Sequence, residues 1–250
     1  MSSYLIKIKK MKLIIDSKIF EKFQGLNVGV VIAKGIINDT GVLSKLQNAI
    51  REQQNEIRAK YNTETLSQNP KIDAWRRAYS AFGAKPKEHK SSVESLYRLV
   101  LQGVNLRHIN NLVDIYNFIS LKYMIPVGGE DIDKIKGDII LTFAGANEVP
   151  VLLLGDKGPR PPHEGEVIYK DEISTICRRW NWREADRTKL AEKTKNSILV
   201  IEGMPPVEKG EVENATKELK ELIQKFCSGN IIYTILDENK NEFDLQQNFP

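Results

Sequence analysis

Residues 105–133 read NLRHINNLVDIYNFISLKYMIPVGGEDID, and the rest of the chain is organised around this stretch. Leu112, Ile115, Ile119 and Tyr123 recur at helical spacing, and Val113, Tyr116 and Phe118 widen the stripe. A helix apolar over so much of its girth packs on several sides. Its polar interruptions, Asn111, Asp114 and Asn117, therefore fall near or inside that packing, where polar groups need hydrogen-bond partners. Two uses fit them. They can cap and brace the loops at either end of the helix, or Asn117 can point into a pocket opened by Gly128 and Gly129. The Pro-Val-Gly-Gly run predicts a turn, and the acids Glu130, Asp131 and Asp133 come after it. Helix capping suits these acids first and cation binding second. Magnesium would need more oxygen ligands than the stretch supplies.

Upstream, residues 12–15 read as a short strand, and the run VGVVIAKGI (residues 28–36) as a buried one. Asp39 or Thr40 can cap a long surface helix striped by Leu43, Leu46, Ile50 and Ile57. Trp75, Ala78, Tyr79 and Phe82 mark one face of a second helix, with Arg76 and Arg77 off that face. The loop GAKPKEHK (residues 83–90) is basic through Lys85 and Lys87. It suits phosphate contact or plain solvation. Ser91 and Glu94 have the spacing of a capping box for a helix that stops at Gly103.

From Asp138 the period becomes strand-like. Strands are expected at residues 139–143, 149–154, 167–169, 176–182, 197–201 and 231–236, with an amphipathic helix at 211–226. In residues 176–182, alternation sends Ile176, Arg178, Trp180 and Trp182 one way and Cys177, Arg179, Asn181 and Arg183 the other. The tryptophans suit a core, and the arginines either solvent or a phosphate. Glu202, at a strand end, can poise a water, hold an ammonium group or pair with an arginine. Helices gather in the first half and strands in the second, which argues α+β. The expected division is an extension at 1–10, a single domain at 11–236 and a polar tail at 237–250.

Of the 250 residues, 41% are hydrophobic and 28% charged, as in a soluble globular protein. The net charge of +4 permits an RNA partner without demanding one. Cys177 and Cys227 are the only cysteines, so neither a disulfide framework nor a cysteine zinc site is expected, and the cytoplasm is the expected location. The three histidines lack metal-ligand spacing. No apolar run reaches the roughly 20 residues of a membrane span. No cofactor and no metal are expected.

The run LRHINNLVDIYNFISLKYMIPVGGEDIDKI (residues 106–135) resembles the B3/B4 domain of the phenylalanyl-tRNA synthetase beta subunit. Shared elements are Ile109, Asn110 and Asn111, Val113 and Asp114, Asn117, Pro126, Asp131, Asp133 and Lys134. Thr194, Lys195 and Asn196 before residues 198–202 resemble its TxNxxLE ending. WRRAY, SSVE, PVGGED and RRWNWR are similar to runs in freestanding B3/B4 proteins. The resemblance implies a B3/B4-like α+β fold, with a central, mostly antiparallel sheet flanked by helices. The stretch at 106–135 is expected to lie against one sheet containing both 177–182 and 197–202.

In the synthetase this domain removes tyrosine from the phenylalanine tRNA, so the resemblance implies a trans-editing deacylase acting on aminoacylated tRNA. The alternative is a non-catalytic module binding RNA or an amino acid. The family's pocket asparagine and glutamate fall on Asn117 and Glu202, and the amides of Gly128 and Gly129 are candidate donors to the ester carbonyl. Its pocket histidine and threonine fall on Gly128 and Tyr116, and its glycine-rich loop is replaced by RRWNWR, so selectivity is expected to differ. Tyr116, Glu130, Asp131, Trp180, Asn181 and Trp182 are candidate substrate contacts. Arg76, Arg77, Lys85, Lys87, Arg179 and Arg183 are candidate RNA contacts. The acids near the pocket suggest a polar, basic or arginine-like amino acid.

Overall fold

A computed structural model describes residues 11–38, 41 and 43–246. The extension at 1–10 and the cap residues Asp39 and Thr40 lie outside them. The first half holds β1 (Lys12–Ile15), α1 (Ser17–Lys22), β2 (Asn27–Lys34), α2 (Ser44–Lys60), α3 (Pro70–Ala81), α4 (Ser92–Leu101) and α5 (Asn111–Tyr123). Local chemistry fixes the helix starts. The side chain of Asn69 accepts the Lys71 amide ahead of Pro70, and that of Asn110 accepts the Val113 amide. Ser91 accepts the Glu94 amide, but the Glu94 carboxylate does not complete a capping box. It is buried and pairs with Arg76 at 2.9 Å and Arg98 at 2.8 Å.

The second half holds β3 (Val127–Asp131), β4 (Ile139–Phe143), β5 (Val167–Lys170), β6 (Thr175–Arg178), β7 (Arg183–Glu184), β8 (Asn196–Gly203), α6 (Lys209–Cys227), β9 (Asn230–Leu236) and β10 (Glu242–Asp244). The architecture is α+β, built on two sheets rather than one central sheet. The larger runs β10-β1-β4-β5-β6-β7, with only the β1–β4 pair parallel. The smaller runs β3-β8-β2-β9 and is antiparallel throughout. Residues 177–178 and 197–202 therefore belong to different sheets.

The small sheet separates two cores. Successive strand residues point to opposite faces. Val28, Val30 and Ile32 of β2, with Ile198 of β8, pack toward the large sheet, α3 and α4. Val31, Ala33, Leu199 and Ile201 pack toward α2, α5 and α6. This alternation also puts Gly128, Glu130, Val200 and Glu202 on the face turned toward the large sheet.

Four expectations are corrected. Gly128 and Gly129 lie in a paired strand, not a turn, in register with Val200 and Leu199. The strand expected at 176–182 stops at Arg178, because Arg179 and Trp180 take left-handed backbone angles, φ +46° and +67°. The two tryptophans consequently part: Trp180 is fully buried, and Trp182 is half-buried in a turn. Residues 149–154 make only single bridges, Val151 to Arg160 and Leu153 to Ala185. Pro150 there has no amide to give a ladder. The tail expected from 237 instead supplies β10, whose Phe243 and the following Leu245 are buried.

Gly29 sits where β2 meets α6, and a Cβ there would fall on the hydroxyl of Thr216. Gly29→Ala is expected to lower stability by about 1–3 kcal/mol, the usual cost of overpacking. Adding Thr216→Ala should recover part of the loss; chemical denaturation of the two variants measures both effects.

Candidate functional site

A cavity of about 310 Å³ opens between the two sheets under α4 and α5. Its walls include Leu13, Ile139 and Ile176 of the large sheet, Ile198 and Val200 of the small one, and Ser95, Leu96 and Leu99 of α4. Tyr116 and Asn117 of α5 reach it, as do Gly128, Gly129 and Glu130 of β3. Trp180, Asn181, Trp182 and Arg183, then Glu184 and Glu202, complete the polar lining. Asn117 and Glu202 thus line one cavity, although their elements belong to opposite halves of the chain.

Glu202 is buried and neither free nor paired with an arginine. One carboxylate oxygen accepts the Tyr169 hydroxyl at 2.6 Å and the Trp180 indole N–H at 2.7 Å. The other accepts the Asn181 amide at 2.7 Å, and Asn181 in turn accepts the Tyr79 hydroxyl at 2.9 Å. A carboxylate has about four acceptor sites, and three are taken. Burial pushes the Glu202 pKa up, and its bonds to Tyr169, Asn181 and Trp180 oppose that shift. These bonds make Glu202 the brace of the Trp180–Asn181 turn and leave about one acceptor site for a water or an ammonium group. The side chain of Asn117, by contrast, makes no hydrogen bond among the described residues and retains its full donor and acceptor capacity toward the cavity.

The glycines serve the site through what they lack. β3 is an edge strand, and alternate amides of an antiparallel edge face away from the partner. Glu202 donates its amide to Pro126 O, so the same register turns Gly128 N–H toward β8. Gly129 N–H faces out and meets the Glu184 carboxylate at 3.4 Å. Only the Gly129 amide is therefore placed as a donor, and it already has a partner. A Cβ on Gly128 would lie 3.2 Å from that same carboxylate. Glu184 occupies space that a side chain at 128 would claim.

Glu184 went unrecognised in the sequence, and no local pattern marks it, because β7 and β3 are far apart in the chain. Here it forms a carboxyl pair with Glu130. Glu130 is buried, and its Oε2 has no hydrogen-bond partner. Burial is the main reason its pKa lies well above the ordinary range, and the Glu184 charge adds to it; Thr188 and Arg187 act the other way. Burial likewise pushes Glu184 up to about 7. Tyr116 and Cys177, which also line the cavity, are raised well above their usual values by burial and by the neighbouring carboxylates, so they remain a phenol and a thiol at neutral pH.

The remaining candidates divide. Asp131 is not in the cavity lining: it caps residues 132–134 through the Asp133 amide and accepts the Thr194 hydroxyl at 2.7 Å. Arg76 is held by Glu94, and exposed Arg77 pairs with Asp73. Lys85 and Lys87 are exposed, Lys85 lying 3.3 Å from Glu88. Arg183 pairs with Asp156 at 2.8 Å. Arg179 and Arg183 both stack on Trp182, at 4.5 and 4.6 Å from its ring centre. Arg179 is buried, whereas strand alternation had put it on a face open to solvent or to a phosphate.

These features define an α+β protein with a cavity between two sheets and carboxyl groups turned into it. The chain belongs to the B3/4 domain family, whose profile matches residues 74–228, more than half of the chain. It is similar to the phenylalanine–tRNA ligase beta subunit of Fusobacterium nucleatum, 30% identical over 122 residues, covering 49% of this chain and 14% of that protein. It is also similar to that of Leifsonia xyli, 28% identical over 132 residues, covering 53% and 15%. The chain thus spans only 14–15% of the length of these relatives. An N-terminal fragment of the phenylalanyl-tRNA synthetase beta subunit from Pyrococcus horikoshii aligns over 95% of this chain and 57% of that chain, with a TM-score of 0.45 and 13% identity.

The carboxyl pair sets a pH dependence. Glu184 titrates near 7 in the folded protein against an ordinary 4.5. A raised folded-state pKa favours folding while the group is protonated. The part of the stability due to Glu184 should be fullest below about pH 4.5 and be lost as pH rises through about 7, with Glu130 and Glu202 contributing in the same direction, while Glu166 and Asp237, whose pKa values are lowered by their partners, act the opposite way in acid. In thermal melts across this range, Glu184→Gln is expected to flatten the slope; an unchanged slope would mean that the carboxyl is solvated.

Proposed function

We propose that the protein is a trans-acting deacylase that hydrolyses the ester of a mischarged tRNA. The observation that carries this reading is the cavity: it lies largely within the matched segment, is not plugged by Tyr116 or either tryptophan, and has a free amide at Asn117. An aminoacyl ester is an activated bond. Water adds to its carbonyl carbon, the bond to the ribose oxygen breaks, and the proton passes to that oxygen, releasing the amino acid and the tRNA. Positioning supplies much of such a barrier, so Ser, Cys or His nucleophiles are not required. Asn117 positions the ester or the water. Glu202 acts through the Trp180–Asn181 turn that it holds, as a positioning residue. The tRNA's own terminal hydroxyl assists the proton transfer.

The amino-acid side chain occupies the cavity between apolar walls and the Glu130–Glu184 pair. A stem of methylenes ending in a cation fits that gradient, because carboxylates in a poorly solvated site attract positive charge. The basic residue in the cavity lining, Arg183, is already paired with Asp156. The substrate class proposed is therefore a tRNA carrying a basic or arginine-like amino acid, with a cytoplasmic place of action.

A panel of mischarged tRNAs tests the reading. Wild-type protein is expected to cleave basic esters faster than tyrosine on the phenylalanine tRNA. Glu184→Gln should narrow that preference by about tenfold, the scale of a lost polar contact. Fastest cleavage of the tyrosyl ester would remove the proposed selectivity. Binding without hydrolysis of any ester would favour a non-catalytic module.

Asn117→Ala should slow hydrolysis roughly tenfold or more while tRNA affinity stays nearly constant, as for loss of a positioned polar group. Single-turnover rates beside filter binding measure the two quantities; turnover equal to wild type would withdraw the assignment of Asn117.

A further inference from the structure

Arg179 is 8% exposed, yet its guanidinium donates no hydrogen bond among the described residues. A guanidinium has five N–H donors, and buried polar groups are normally paired. Its carboxylate neighbour, Glu166, is 4.0 Å from Nε and already engaged. Glu166 accepts two bonds from Arg178, at 2.9 and 2.7 Å, one from the Arg179 amide at 2.9 Å and one from the His163 amide at 3.3 Å. Those bonds use its acceptor capacity and neutralise it against Arg178. The guanidinium of Arg179 thus faces Glu166 across 4.0 Å but has no hydrogen-bonded acceptor among the described residues.

The Arg179 side chain borders a second hollow, of about 200 Å³, also lined by Lys85, His89 and His163 and by the carboxylates Glu166, engaged by Arg178, and Glu88, 3.3 Å from Lys85. The Nδ1 atom of His89 is buried there without a partner. His89 packs edge-on to Trp182 at 4.7 Å, on whose ring the Arg179 guanidinium also stacks. Trp182 lines the large cavity. The hollow therefore lies one indole ring away from the cavity. The backbone is strained to achieve this, since Arg179 and Trp180 are consecutive non-glycine residues with positive φ. Such conformations persist where the surroundings over-determine them and gather at functional sites.

We propose that this hollow is an anion subsite in which Arg179 and His89 take a phosphate of the single RNA strand leading to the cavity. A planar guanidinium matches phosphate bidentately, and Lys85 at the rim adds charge. The subsite rests on the RNA partner of the deacylase reading, but its occupancy does not depend on hydrolysis. Glu88, Glu166, Arg178 and Arg179 are the charged groups that act on His89. Burial and Arg179 hold its pKa below the usual value, so the ring is neutral at pH 7. A bound phosphate would raise it.

The test uses the full chain and ligands that carry no amino acid: inorganic phosphate, and a short RNA with the sequence of a tRNA 3′ acceptor strand. The His89 ring is followed by NMR through a pH titration, and strand affinity is measured at fixed salt. Both ligands are expected to shift the His89 resonances and raise its pKa, with those of exposed His163 moving less. Arg179→Gln should abolish the response and weaken strand binding tenfold or more. The wild-type titration stands alone if that variant does not fold. An unmoved His89, or equal strand binding by a folded Arg179→Gln, overturns the subsite. A response to inorganic phosphate without one to the strand overturns the RNA assignment. Strand binding with this response, in a protein that hydrolyses no ester, supports the subsite and removes the deacylase reading alone.

Discussion

The buried carboxylate of Glu202 ties the two sheets together. It leaves the end of β8 and receives Tyr169 from β5 of the other sheet, together with Trp180 and Asn181 from the turn after β6. Each donor would be left unpaired by its loss, at about 1–3 kcal/mol apiece. The bond to Trp180 also draws that ring fully into the core, against Phe23 and Trp75. Drawing it in takes the chain through positive φ and leaves Trp182 and Arg183 at the wall of the cavity, with Arg179 beside the second hollow. The wall, the turn and the second hollow thus depend on one side chain.

The same constraint explains why the interior remains polar at one end. Tight pairing of β3 to β8 requires glycine at 129, where a Cβ would meet Ile198 O and Leu199 at 3.0 Å. Glycine at 128 leaves the other face open, and Glu184 enters from β7. Two carboxyl groups then share a poorly solvated space, which raises the pKa of both. A site of this kind costs stability at neutral pH. A proton shared into the pair, or a cation beside it, would offset that cost.

Basic residues on this molecule differ in availability. Arg76, Arg178 and Arg187 are consumed by Glu94, Glu166 and Asp171. Arg77, Lys85 and Lys87 are exposed, and surface charges steer a polyanion without fixing it. Arg179 is buried and meets Glu166 only at 4.0 Å, with no hydrogen bond from its guanidinium among the described residues. A formal net charge of +4 says nothing of this partition.

The sequence by itself determined the elements whose signals are local. The period of α5, the Ser91 cap and the apolar run of β2 are each contained within a few turns or one strand. Asn117 and Glu202 were singled out through motifs of the same local kind, and both line the cavity. Tertiary structure alone decided the rest. Whether Gly128 and Gly129 turn or pair depended on β8, which lies far along the chain. The strand alternation of residues 176–182 was a sound local pattern, and it failed because Trp180 answers to Glu202 rather than to its neighbours. Glu184 and the buried state of Arg179 had no signal in one dimension. A carboxyl pair and a guanidinium without a hydrogen-bonded acceptor are properties of surroundings, and those surroundings are assembled from segments well separated in the chain.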